Sequence, residues 1–233
     1  MPWTHLLADA AGPAFVHGPD GGPTYTETDL GRWIAEPWNA ASCLLFLLLA
    51  VVWAIRLRGQ YRRHAFLAAC LPLVVVGGVG GTVYHAFRAH RVWLFLDWVP
   101  IVVLGFAISV HLWSRIVKRW GYALLVIPAV FLLQTLNFRY GPRRMAINLS
   151  YSILGAVIVV PAAAVLWKTR FRHGLLPLGA LVCFAAAIGA RAADRWYPPL
   201  LPMGTHWLWH VFGAAAAFLI AEYIYRLPKP RRL

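Results

Sequence analysis

The chain has 233 residues, of which 61% are hydrophobic and only 13% charged. A soluble domain carries about 25% charge, so a water-soluble fold is excluded and an integral membrane protein is indicated. The net charge of +14 does not mark a nucleic-acid binder: the basic residues sit in short clusters between apolar runs, as topology signals do, and anionic lipid headgroups are the acidic partner they suit.

Residues 1–33 form a polar, Gly/Pro-rich lead-in with neither the basic nor the apolar region of a cleaved signal peptide. A helix needs about 20 apolar residues to span a bilayer. Seven spans are predicted, over 38–56, 65–87, 93–115, 120–137, 146–167, 174–190 and 205–225. The expected architecture is all-α: one seven-helix transmembrane bundle over 34–226, with a basic tail over 227–233. Fourteen of the 22 Lys and Arg fall in the tail and in the loops after the first, third and fifth spans, against eight on the other side. The positive-inside rule then puts the N-terminus outside and the C-terminus in the cytoplasm. The Ala/Arg-rich composition favours a bacterial inner membrane, and nothing in the sequence fixes an oligomeric state.

Cys43, Cys70 and Cys183 lie in or at the ends of apolar runs without CxxC spacing, and read as small buried hydrophobes. Five of the eight acidic residues (Asp9, Asp20, Glu27, Asp29 and Glu36) precede the first span. Glu222 lies four residues before Arg226, the spacing of a helical ion pair.

The predicted topology carries four other groups to one depth. His85 ends the outward-running second span, Asp97 opens the third, and His206 and His210 open the seventh in "HWLWH". His206 and His210 lie one turn apart on one helix face, offset by about 6 Å. With His85 they make a three-histidine set for an open zinc site, where the metal lowers the pKa of its water to about 7. "HWLWH" carries no acid between its histidines, so the proton acceptor must come from elsewhere; Asp97 is the carboxylate at that depth. Ionisable groups inside a membrane are costly and point to function. Haem is a rival ligand, but an i,i+4 pair with an acid alongside suits zinc better. A transporter would need polar residues continuing to the cytoplasmic side, and these are few. His111 lies deeper and reads as structural, and His90 as a headgroup contact; His5, His17, His64 and His173 have no partner that the sequence identifies.

Three blocks, "YTETDLGRWIAEPWNAASC", "GGTVYH" followed by Asp97, and "HWLWH", resemble the alkaline ceramidase family in order and separation, over about residues 20–225. The same pattern marks a wider superfamily that includes the progestin and adiponectin receptors; "EPWNA" points to the ceramidase branch. The resemblance implies seven helices around a zinc ion and hydrolysis of the amide bond of ceramide-like N-acyl sphingoid lipids, giving a sphingoid base and a fatty acid. It implies His85, His206 and His210 as zinc ligands and Asp97 as the residue that positions or deprotonates the water. It also implies a calcium site in the N-terminal segment, with Glu27 and Glu36 at matching positions; the competing reading has Glu36 capping the first helix and Asn39 bonding a neighbouring span.

Two positions depart from the family. Gly81 stands where the family has Ser, leaving Thr82 to supply an oxyanion hydroxyl worth about 10²–10³ in rate. Cys43 stands where the family commonly has Asn. The alternative to an enzyme is a non-catalytic lipid receptor of the same fold, in which the zinc is structural. Trp93, Trp98, Trp207 and Trp209 are expected either to line a lipid entrance or to form an interfacial aromatic belt.

Overall fold

The computed structural model describes residues 18–117, 119–142 and 145–228. His5, Asp9, His17 and the basic positions Lys118, Arg143, Arg144, Lys229, Arg231 and Arg232 lie outside them. Seven helices are long and apolar enough to cross a membrane: α1 Pro37–Arg56, α2 Ala65–Phe87, α3 Arg91–Trp113, α4 Val126–Tyr140 (its span prolonged backward by a 3₁₀ turn, Trp120–Leu125), α5 Ala146–Lys168, α6 Leu175–Ala193 and α7 His206–Arg226.

The fourth span is not one regular helix because Pro128 sits in the first turn of α4. Its missing N–H cannot bond the carbonyl of residue 124, and the chain before it tightens into the 3₁₀ turn. The sixth span runs past the expected end because Arg191 is buried in the bundle. Its Nε donates to Asn148 Oδ1 at 3.1 Å, and its guanidinium covers the Tyr151 and Trp209 rings at 5.1 and 5.6 Å.

Helices α1, α2, α3, α5, α6 and α7 pack successively, and α7 returns to α1, closing a ring; α4 lies outside it against α5 and α3. Gly80 allows α2 to approach α3 closely: a side chain there would strike the Leu96 backbone. One end of the ring is plugged by Leu49, Trp53, Leu57, Leu67, Leu112, Tyr223 and Leu227 among others. At that end Glu222 accepts from Arg226 at 2.5 Å, as its spacing predicts, and also from Arg56 of α1 at 2.5 Å. His111 stacks on Phe66 at 4.0 Å and His64 on Tyr225 at 4.3 Å, which gives both a packing role. The other end holds the polar groups.

Candidate metal centre

The helix ends that deliver the polar groups are held by carboxylates from the loops. Pro37 opens α1 at the position where its missing N–H costs nothing. The next free amides, of Trp38 and Asn39, are taken by Glu27 at 2.6 and 2.9 Å. Glu36 stands at the N-cap position, as the competing reading had it, but its side chain makes no cap bond; Glu27 supplies it. Asp194 does the same for α7, accepting from the amides of Thr205 at 2.6 Å and His206 at 3.0 Å. His90 caps α3 by accepting from Val92 N at 3.2 Å, at the exposed start of the helix.

His85, His206 and His210 are all buried, with ring centroids 4.9–5.5 Å apart. Glu36 Oε2 lies 2.5 Å from His85 Nδ1. An ionised carboxylate only accepts, so Nδ1 carries a hydrogen, and in the neutral imidazole that a metal would bind the lone pair is on Nε2. That Nε2 is buried without a hydrogen-bond partner. The same logic applies to His210. Ser42 donates its one hydrogen to Asn39 O at 2.9 Å, so its oxygen can only accept from His210 Nδ1 at 2.7 Å. Nε2 is then the atom His210 can offer as a ligand. Two imidazoles held at Nδ1 and open at Nε2 are what ligating histidines require, so these residues fit a metal ion.

The ligand atoms of His85 and His210 lie within 4.8 Å of each other and of a third group, and that group is Cys43. The thiol is buried, as expected of a small hydrophobe, but it points into the centre rather than into lipid. The missed signal was helical spacing: Asn39 and Cys43 fall at i and i+4, on one face of α1, just beyond Glu36 at its N-cap. His206 stands beside this group with its ring stacked on Tyr25 at 3.8 Å and its Nδ1 buried and unpartnered.

Asp97 faces the same place: a Cβ on Gly81 would stand 2.6 Å from Asp97 Oδ1 and 2.9 Å from Cys43 Sγ. Thr82 does not offer the expected oxyanion hydrogen, because its hydroxyl donates to Gly78 O at 2.7 Å, within its own helix. Below the centre a cavity of about 380 Å³ opens inside the ring. Asp97, His210, Tyr151 and Trp209 lie on its wall, and the rest is almost wholly aliphatic and aromatic. Of the four tryptophans considered for an entrance, Trp209 lines this cavity; Trp207 packs against Trp38 at 5.7 Å.

The expected calcium ligands are already engaged. Arg88, the left-handed residue that ends α2, is 2% exposed. Its guanidinium grips Asp20 with Nε at 2.6 Å and Nη2 at 3.0 Å, and donates to Glu36 Oε1 through Nη1. Glu36 Oε1 also accepts from Thr28 at 2.5 Å, and Oε2 from Asn39 at 3.1 Å besides His85. Burial raises the pKa of Glu36, but His85 and Arg88 outweigh it and hold the carboxyl at about 2. Burial likewise raises that of Asp20, and the Arg88 and Gly22 hydrogen bonds bring it below its ordinary value. Both oxygens of Glu27 are taken by amides. Calcium needs six to eight oxygen donors, whereas here a fixed cation lies between Asp20 and Glu36. These residues do not fit calcium.

Fold and site together define a seven-helix membrane protein with a buried His/Cys centre able to hold a metal ion. No protein-family model matches the chain, and no curated protein matches it significantly.

Proposed function

We propose that the chain is a zinc-dependent amidohydrolase that cleaves the amide bond of ceramide-like N-acyl lipids within the membrane. The observation that carries this reading is the union of a polar, metal-competent centre with an apolar cavity of about 380 Å³ directly below it. That volume lies in the range of ligand pockets, and its apolar wall suits an acyl chain. The resemblance to alkaline ceramidases supplies the amide.

When bound, the metal supplies Lewis acidity and a nucleophile drawn from water. The chain's own residues do the rest. Glu36 and Ser42 fix His85 and His210 by their Nδ1 atoms. The cavity seats the acyl chain and keeps bulk water from the carbonyl. Asp97 accepts a proton from the water at its carboxylate and passes it to the departing nitrogen as the C–N bond breaks. The acyl carbon gains the hydroxyl, and the amine leaves with the proton. On the positive-inside reading this chemistry lies at the outer face of a bacterial inner membrane.

A receptor without turnover is the second reading. It is favoured by Gly81 having no side chain and by the Thr82 hydroxyl being bonded to Gly78. The purified protein in detergent, given N-acylsphingosine, should release sphingosine and fatty acid detectable by mass spectrometry. Release should fall at least about 100-fold in Asp97→Asn, by the scale of general-base catalysis. It should stop on chelation and return with zinc. Binding without release would favour the receptor; release that survives both treatments would remove the mechanism.

A further inference from the structure

The two positions at which the chain departs from the pattern it resembles meet in space. A Cβ on Gly81 would stand 2.9 Å from Cys43 Sγ. The thiol therefore occupies volume that a side chain at position 81 would need, against Asp97. The buried His85 Nε2 next to it has no hydrogen-bond partner, and leaving a buried polar atom unsatisfied is unfavourable. Ser42 engages His210 at Nδ1, which makes Nε2 the ligand atom this ring can offer. The ligand atoms of Cys43, His85 and His210 lie within 4.8 Å of one another, so one ion placed among them can reach all three.

We propose that Cys43 is a metal ligand, binding through its thiolate one zinc-class divalent ion together with His85 and His210. The inference rests on the metal centre of the proposed function and adds a sulfur donor to it. Thiolate with imidazole is a donor set suited to zinc. Binding releases the thiol proton. Three protein donors would leave room at the ion for a water, which is what a catalytic centre requires. A cysteine that merely filled space would leave the metal's electronic spectrum untouched.

Cobalt(II) is the probe, because a thiolate bound to it gives a sulfur-to-cobalt charge-transfer absorption in the near ultraviolet. The chain has three cysteines, so the Cys70→Ser, Cys183→Ser double variant retains Cys43 alone. Loaded with cobalt, this variant and the native chain should both show the band. Cys43→Ser should lose it, and its metal affinity should fall by more than about tenfold, the lower bound for losing an outer-shell partner. Stoichiometric cobalt without the band, or a band unchanged by Cys43→Ser, would overturn the sulfur ligand while leaving the metal centre standing. A helical, monodisperse protein that takes up no cobalt would overturn the metal centre itself and this inference with it. Should Cys43→Ser fail to fold, the double variant's spectrum alone decides the matter.

Discussion

Glu36 and His85 face each other at 2.5 Å, Oε2 to Nδ1, with neither side chain exposed to solvent. They come from different helix ends, 49 residues apart in sequence. The carboxylate sets the tautomer and aim of the imidazole, as outer-shell partners of ligating histidines do. Glu36→Gln keeps the shape and removes the charge. Metal affinity, measured by competition with a chromophoric chelator, should fall about 10–100-fold. Unchanged affinity would reduce the pair to packing.

Arg88 gathers Asp20 and Glu36 where calcium was expected from the resemblance. Arg88→Met leaves two buried carboxylates without their cation, and breaking a buried pair in this way costs about 3–5 kcal/mol. Denaturant unfolding in detergent should show a loss of that size. Because the site is filled by a guanidinium, the native protein should melt at the same temperature in millimolar calcium and in a calcium chelator. A rise of several degrees with calcium would return the ion to the site.

The Asp20 clamp also dictates an acid limb. Its carboxyl titrates lower in the folded chain than the unfolded value of about 3.9. The unfolded state therefore binds more protons in that range, and stability rises with pH there. The contribution is complete above pH about 4 and is lost as pH falls through the folded value. Thermal melts at stepped pH should show the native chain losing stability on acidification below about pH 4, and Asp20→Asn, weaker throughout, losing less. Parallel curves would separate Asp20 from the acid limb.

Gly81 and Cys43 should be coupled. A side chain at 81 meets both Cys43 Sγ and Asp97 Oδ1 inside 3.0 Å, an overpacking that typically costs about 1–3 kcal/mol. Gly81→Ser should therefore destabilise the native chain and do so less in a Cys43→Ala background. The interaction energy expected for touching residues is about 0.5–3 kcal/mol. Additivity in the double-mutant cycle would show that the thiol does not occupy the space a serine needs.

Hydropathy and loop charge alone determined the seven spans, because lipid tolerates only helices whose backbone is satisfied within the segment. Antiparallel threading then carried His85, Asp97, His206 and His210 to one end whatever the packing. What only the tertiary structure decided is which groups touch. Cys43 read as another apolar residue because burial looks the same whether a thiol faces lipid or a ligand cluster. Arg88 is one of the eight basic residues counted on the outer side, and nothing local shows that Asp20, 68 residues away, folds back onto it. Glu27 holds the first amides of α1 and Glu36 holds His85 and Arg88, for the same reason. A carboxylate's task is set by the donors that reach it, and those donors come from elements that become neighbours only when the ring of helices closes.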